Sequence, residues 1–165
     1  MDSGDAITTG SNNVGIGTNT VGQFDAETYN IGIGYGAIGG AINGGEYNTG
    51  IGANTLDAVT SGDSNTALGY NAGTTCTTSD KCVFLGRSAG SAVTTGDQNI
   101  IIGYDSGSTL NDGGSNILVG HAANVSASDV SNAICLGVSI SAAANDFTFG
   151  KGSNAVTNDF DADAD

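Results

Sequence analysis

One glycine recurs along the chain, at Gly17, Gly34, Gly52, Gly69, Gly86, Gly103, Gly120, Gly137 and Gly150. The successive spacings are 17, 18, 17, 17, 17, 17, 17 and 13. Seven of the eight intervals agree to within one residue, so the chain is an array of one short unit. The 18 matches an extra residue in the glycine-rich turn Gly39 to Gly45, and the 13 a shortened last coil. So short a unit cannot bury an apolar face alone and must stack on its neighbours.

The columns around the glycine describe the unit. Immediately before it stand Ile16, Ile33, Ile51, Leu68, Leu85, Ile102, Val119, Leu136 and Phe149. Two residues earlier stand Val14, Ile31, Thr49, Thr66, Val83, Ile100, Ile117, Ile134 and Phe147. Positions two apart share one strand face, so these columns predict an inward stripe, with Ile16 through Leu136 as the coil core. Asn13, Asn30, Asn48, Asn65, Asn99 and Asn116 mark the turn entering this strand, and Gly-Asp pairs such as Gly62-Asp63 precede them. Seven residues after the glycine, Phe24, Val59, Val93 and Leu110 predict a second, weaker inward strand, and Ile7 hints at a partial first coil. The expected unit is strand, glycine corner, strand, turn. Parallel stacking of about nine such coils gives an all-β, parallel β-solenoid about 45 Å long at ~4.8 Å per step. A hexapeptide helix would need an aliphatic residue every sixth position. Thr, Glu, Ser and Asp-rich turns stand there instead, so a flattened, two-faced roll fits better.

The residue between the two aliphatic columns should then face outward. It reads Gly15, Gly32, Gly50, Ala67, Phe84, Ile101, Leu118, Cys135, Thr148, small in the first half and largely apolar in the second. Strands such as VFL, III and ILV are apolar on both faces, which implies cover on both sides. The expectation is a homotrimer with Phe84, Ile101, Leu118 and Cys135 in the interface. The competing reading is a terminal loop folded over this face.

Composition narrows function. The chain has 165 residues, 28 Gly, no Pro, and 3 basic against 17 acidic residues, for a net charge of −14. Such a chain repels phosphate backbones and anionic lipid heads, so nucleic acid is not expected as a partner. No apolar run approaches ~18 residues, so no membrane insertion is expected. The N-terminus carries no Sec-type signal pattern. Three segments are expected: a partial coil or cap over 1–10, the roll over 11–154 and an acidic tail over 155–165.

Units such as NTGIGANTL, NTALGYNAG and NIIIGYDSG resemble the N-[ST]-x-[AG]-[IL]-G head repeats of trimeric autotransporter adhesins. They are at least as similar to the NTAIGYNAG-like repeats of bacteriophage tail fibres and other phage surface proteins. The resemblance covers about residues 10 to 154. It implies a left-handed parallel β-roll, three chains side by side, and display or attachment without catalysis. The chain departs from the adhesins in its longer unit, and no stalk, anchor or signal-peptide pattern like theirs is expected within these residues. Nor is the autocleaving chaperone domain that ends many phage fibres expected within them. These features suit a trimeric capsid decoration or tail-fibre component at the virion surface, partnered by itself, by capsid or tail proteins, and by a host-surface glycan or receptor. The alternative is an adhesin head on a bacterial cell surface.

No catalytic or cofactor site is expected. GIGYGAIGG at Gly32 to Gly40 has dinucleotide-like glycine spacing, but its glycines belong to the repeat and no helix is expected after it. His121 is the single histidine, in a column that elsewhere holds Tyr35, Tyr70, Arg87 and Tyr104. That column reads as a corner row of amphipathic side chains, with a glycan-contact surface as its functional variant. Cys76 and Cys82 bracket CTTSDKC and are equally readable as a disulfide worth ~2 kcal/mol or as two free thiols. The acidic turns and the DFDADAD tail are candidate Ca²⁺ ligands, but no EF-hand or GGxGxD motif supports a site. Ice binding is disfavoured because Thr18-Asn19-Thr20 is not continued in later coils.

Overall fold

A computed structural model describes residues 9–21 and 26–159. Ile7, Phe24, most of the proposed N-terminal cap and the tail from residue 160 lie outside the described residues. Nine strands stack in parallel: β1 Val14–Ile16, β2 Ile31–Ile33, β3 Thr49–Ile51, β4 Thr66–Leu68, β5 Val83–Leu85, β6 Ile100–Ile102, β7 Ile117–Val119, β9 Ile134–Val138 and β11 Asp146–Lys151. The register never slips, so Ala67, Phe84, Ile101, Leu118, Cys135 and Thr148 lie opposite one another in succession. The result is a parallel β-solenoid of about eight turns. A last strand, β12 (Val156–Asp159), pairs antiparallel with β11 and covers the open edge that a parallel stack would otherwise present.

The anchor glycine sets the corner. Gly86 has φ +128°, and a β-carbon built on it would stand 2.8 Å from both the carbonyl carbon and oxygen of Gly103 in the next coil. Successive corners stack backbone on backbone, so the repeat tolerates no side chain there.

The inside and outside of the strands are the reverse of the sequence expectation. Phe84, Ile101, Leu118 and Cys135, expected at an interface between chains, are fully buried inside their own coil. Of the expected coil core, Ile16, Ile51, Leu68, Leu85 and Leu136 are exposed, and Ile33, Ile102 and Val119 are half-buried, all on the outer face. The reason is dimensional. A three-residue strand between an Asn and a Gly turns one side chain inward, and the remaining interior is filled from the opposite wall.

That wall is not a second strand. Val59, Val93 and Leu110 do point inward and are fully buried. Their backbone, however, follows a tight turn with positive φ at residues such as Asn54 (55°) and Leu56 (49°), which no strand accommodates. The only strands on this side among the described residues are β8 (Asn124–Val125) and β10 (Ser141–Ala142).

The two walls trade volume. Where the strand contributes Gly32 or Gly50, the turn six residues later contributes buried Ile38 or Leu56. Where the strand contributes Phe84 or Ile101, the turn contributes Gly90 or Gly107. A β-carbon on Gly107 would lie 2.7 Å from Ile101 Cδ1, and one on Gly73 would lie 2.6 Å from Phe84 Cδ2. The small-then-large middle column is one half of a constant-volume interior.

The asparagine column is likewise more than a turn signal. Asn30, Asn48, Asn65, Asn99 and Asn116 are completely buried and form a ladder. Each Oδ1 accepts the backbone N–H of the following rung, as Asn48 Oδ1 does from Asn65 at 3.0 Å. Each Nδ2 donates to a carbonyl of the next turn, as Asn65 does to Ser79 O at 2.6 Å. Cys82 occupies one rung. Its Sγ lies 3.2 Å from Gly96 O and accepts the Asn99 N–H at 3.4 Å, a thinner version of the same bonds. Cys82→Asn is therefore expected to stabilise the fold by about 1 kcal/mol, read as a Tm rise of about 2–4 °C. A lower Tm would show that the rung has no room for the amide.

Candidate interaction surfaces

The outward side chains of the sheet form a largely apolar surface along the roll, interrupted in one column by Thr49 and Thr66. Two columns compose it, Val14 to Phe147 and Ile16 to Phe149, seventeen residues apart from coil to coil except across the 18-residue coil and the shortened last one. Ile16 is 58% exposed, Leu68 44% and Leu85 39%. Isolated apolar residues on a surface are ordinary, but a long, largely apolar stripe bordered by acidic turns on one side and an aromatic corner row on the other is the pattern of an interaction face.

Next to it runs the corner row that follows the anchor glycine. Backbone bonds from Asn54 to Tyr35 O (2.8 Å), Asn71 to Ala53 O (3.0 Å), Ser88 to Tyr70 O (2.8 Å) and Asp105 to Arg87 O (3.1 Å) hold it in register. The Arg87 guanidinium sits 5.9 Å from the Tyr70 ring centre and 5.3 Å from that of Tyr104, a cation between two aromatic faces. Tyr104 in turn stacks on His121, with centroids 5.4 Å apart and planes 11° apart. Ring faces that a sugar would pack against are thus largely turned on each other in this half of the row. A second stack, Tyr29 on Tyr47 at 5.1 Å and 4°, lies in an otherwise polar column that gives no sign of it in the sequence.

The acidic turns also form a ladder. Asp63 Oδ1 accepts the Glu46 N–H at 2.7 Å, Asp80 that of Asp63 at 2.7 Å, and Asp97 that of Asp80 at 2.8 Å. One carboxylate oxygen of each is committed to backbone. Among the described residues no group of three or more His, Cys, Asp or Glu is arranged to hold a metal ion.

Cys76, Cys82 and Cys135 are free and buried. Cys76 lies in the inward column of the turn wall, and Cys82 in the asparagine ladder, so each fills a structural position. Burial pushes the thiol of Cys76 up to about 12 and that of Cys82 up to about 11, suppressing the thiolate that disulfide exchange requires. GIGYGAIGG lies on β2 and the turn after it, with no helix following. No helix among the described residues is long and apolar enough to cross a membrane. Comparison with known proteins gives no matching family model, no matching curated relative and no matching solved structure.

Proposed function

We propose that this chain is a non-enzymatic structural and display protein of a bacteriophage virion, a trimeric capsid decoration or tail-fibre component. The observation that carries the reading is the apolar outer face of the sheet, with Leu68, Leu85 and Ile16 exposed along it. Copies of the same chain would cover that face, because each presents an equally long and equally straight stripe. The number three, the left-handed winding and the phage setting rest on the resemblance of units such as NTALGYNAG to phage and adhesin head repeats. The repeat assigns nearly every residue to stacking, consistent with display rather than turnover. The bacterial adhesin head remains the second reading on the same resemblance, and a downstream stalk and anchor gene segment would favour it over neighbouring capsid or tail genes.

The test is a charge placed on the outer face. Leu85→Asp is expected to convert the assembly into monomers in sedimentation velocity, with the circular dichroism of the coil unchanged. An assembly of unchanged size would refute association through this face.

A further inference from the structure

The corner row contains one position where its own pattern is interrupted. Reading along the register, it runs Tyr35, Ala53, Tyr70, Arg87, Tyr104, His121. Arg87 fills the space between Tyr70 and Tyr104, two coils apart, or about 9–10 Å at the strand spacing of ~4.8 Å. Tyr35 and Tyr70 are separated in the same way, but the residue between them is Ala53, whose side chain ends at its β-carbon. Exposure tracks this difference. Tyr104, stacked on both sides, is 42% exposed; Tyr70, stacked on one, 50%; Tyr35, stacked on none, 58%.

We propose that the Tyr35–Ala53–Tyr70 slot binds an arginine guanidinium presented by a partner protein. The chain itself demonstrates what fits, since Arg87 occupies the neighbouring slot, which likewise lies between tyrosines two coils apart. A guanidinium is planar and weakly hydrated, so it stacks between aromatic faces more readily than a compact, strongly hydrated ammonium. A carboxylate residue stands near each slot: Asp105 follows Tyr104 and donates its backbone N–H to Arg87 O at 3.1 Å, and Asp57 lies by Gly36 at the open slot. Asp57 Oδ1 lies 3.6 Å from where a β-carbon on Gly36, the residue after Tyr35, would be. In the same column other coils carry Gly39, Thr74, Ser91 and Ser108. Partial burial raises the Asp57 carboxyl above its usual range, and a bound cation would reverse that cost. The net charge of −14 favours a basic partner surface generally, and the slot gives that attraction a specific anchor.

The experiment titrates the intact protein with N-acetyl-arginine amide and follows the ring protons of Tyr35 and Tyr70 by NMR. Both are expected to move upfield and saturate, while N-acetyl-lysine amide at equal concentration produces less than a third of the shift. Ala53→Arg fills the slot from within and is expected to abolish the response. Asp57→Asn is expected to weaken binding at least threefold, and serves as the test should Ala53→Arg fail to fold. Equal responses to the arginine and lysine probes would reduce the effect to net charge. No saturable shift, or an unchanged response in Asp57→Asn, would also overturn the proposal.

Discussion

Phe84→Ala is expected to cost about 3–5 kcal/mol of stability, enough to leave the roll partly unfolded under mild conditions. Phe84 is the largest fully buried side chain among the described residues, and it fills the interior opposite two glycines of the turn wall, Gly73 and Gly90. Neither glycine can move in to replace a lost ring, because neighbouring coils fix the backbone on both sides. Its neighbour Leu85 is 39% exposed on the outer face, so Leu85→Ala removes less burial within the coil than Phe84→Ala does. Its effect should appear instead as a stability that depends on protein concentration, as for any contact made between copies. Urea titrations of the two variants at several concentrations separate these cases. Were Leu85 the core residue and Phe84 the interface residue, the two behaviours would be exchanged.

Gly86→Ala is expected to cost at least about 3 kcal/mol, although it adds a single methyl group. Two penalties combine. The φ of +128° belongs to a region that residues with a β-carbon rarely adopt, costing about 1–3 kcal/mol alone. The methyl would then meet the Gly103 carbonyl at 2.8 Å, against backbone rather than a side chain that could swing aside. Relief requires prying one coil from the next, which breaks the parallel pairing of β5 and β6. Thermal unfolding of the variant measures the loss, and a Tm within a degree or two of the parent would mean that the corners are not in close contact.

The sequence carried the period, the strand positions and the corner with little ambiguity. Val83–Leu85, Ile100–Ile102 and Ile117–Val119 lie where the glycine-anchored columns place them. The facing of those strands was not legible from the strands alone. Segments such as III and ILV offer an apolar side chain at every position, so alternation gives no parity. The deciding signal lay six residues downstream, where Ile38 and Leu56 accompany Gly32 and Gly50, and Gly90 and Gly107 accompany Phe84 and Ile101. A glycine in the middle of a strand looks like a surface position until its bulky counterpart is paired with it. The asparagine ladder escaped for a different reason. Asn is common in turns, and only the repetition of a buried acceptor and donor from coil to coil distinguishes a ladder from a series of turns. The second strand failed because inward periodicity at Val59, Val93 and Leu110 reports which way side chains point, not how extended the backbone is.

If further copies of the same chain cover the apolar outer face, the protein in solution is an oligomer. The most direct measurement is the mass of the wild-type protein in solution, by light scattering behind a sizing column. The expected result is a single species at three times 16.1 kDa, independent of concentration over the micromolar range. A stable, soluble species at 16.1 kDa would contradict it, leaving the solenoid intact but removing the reason to read its sheet face as an interface.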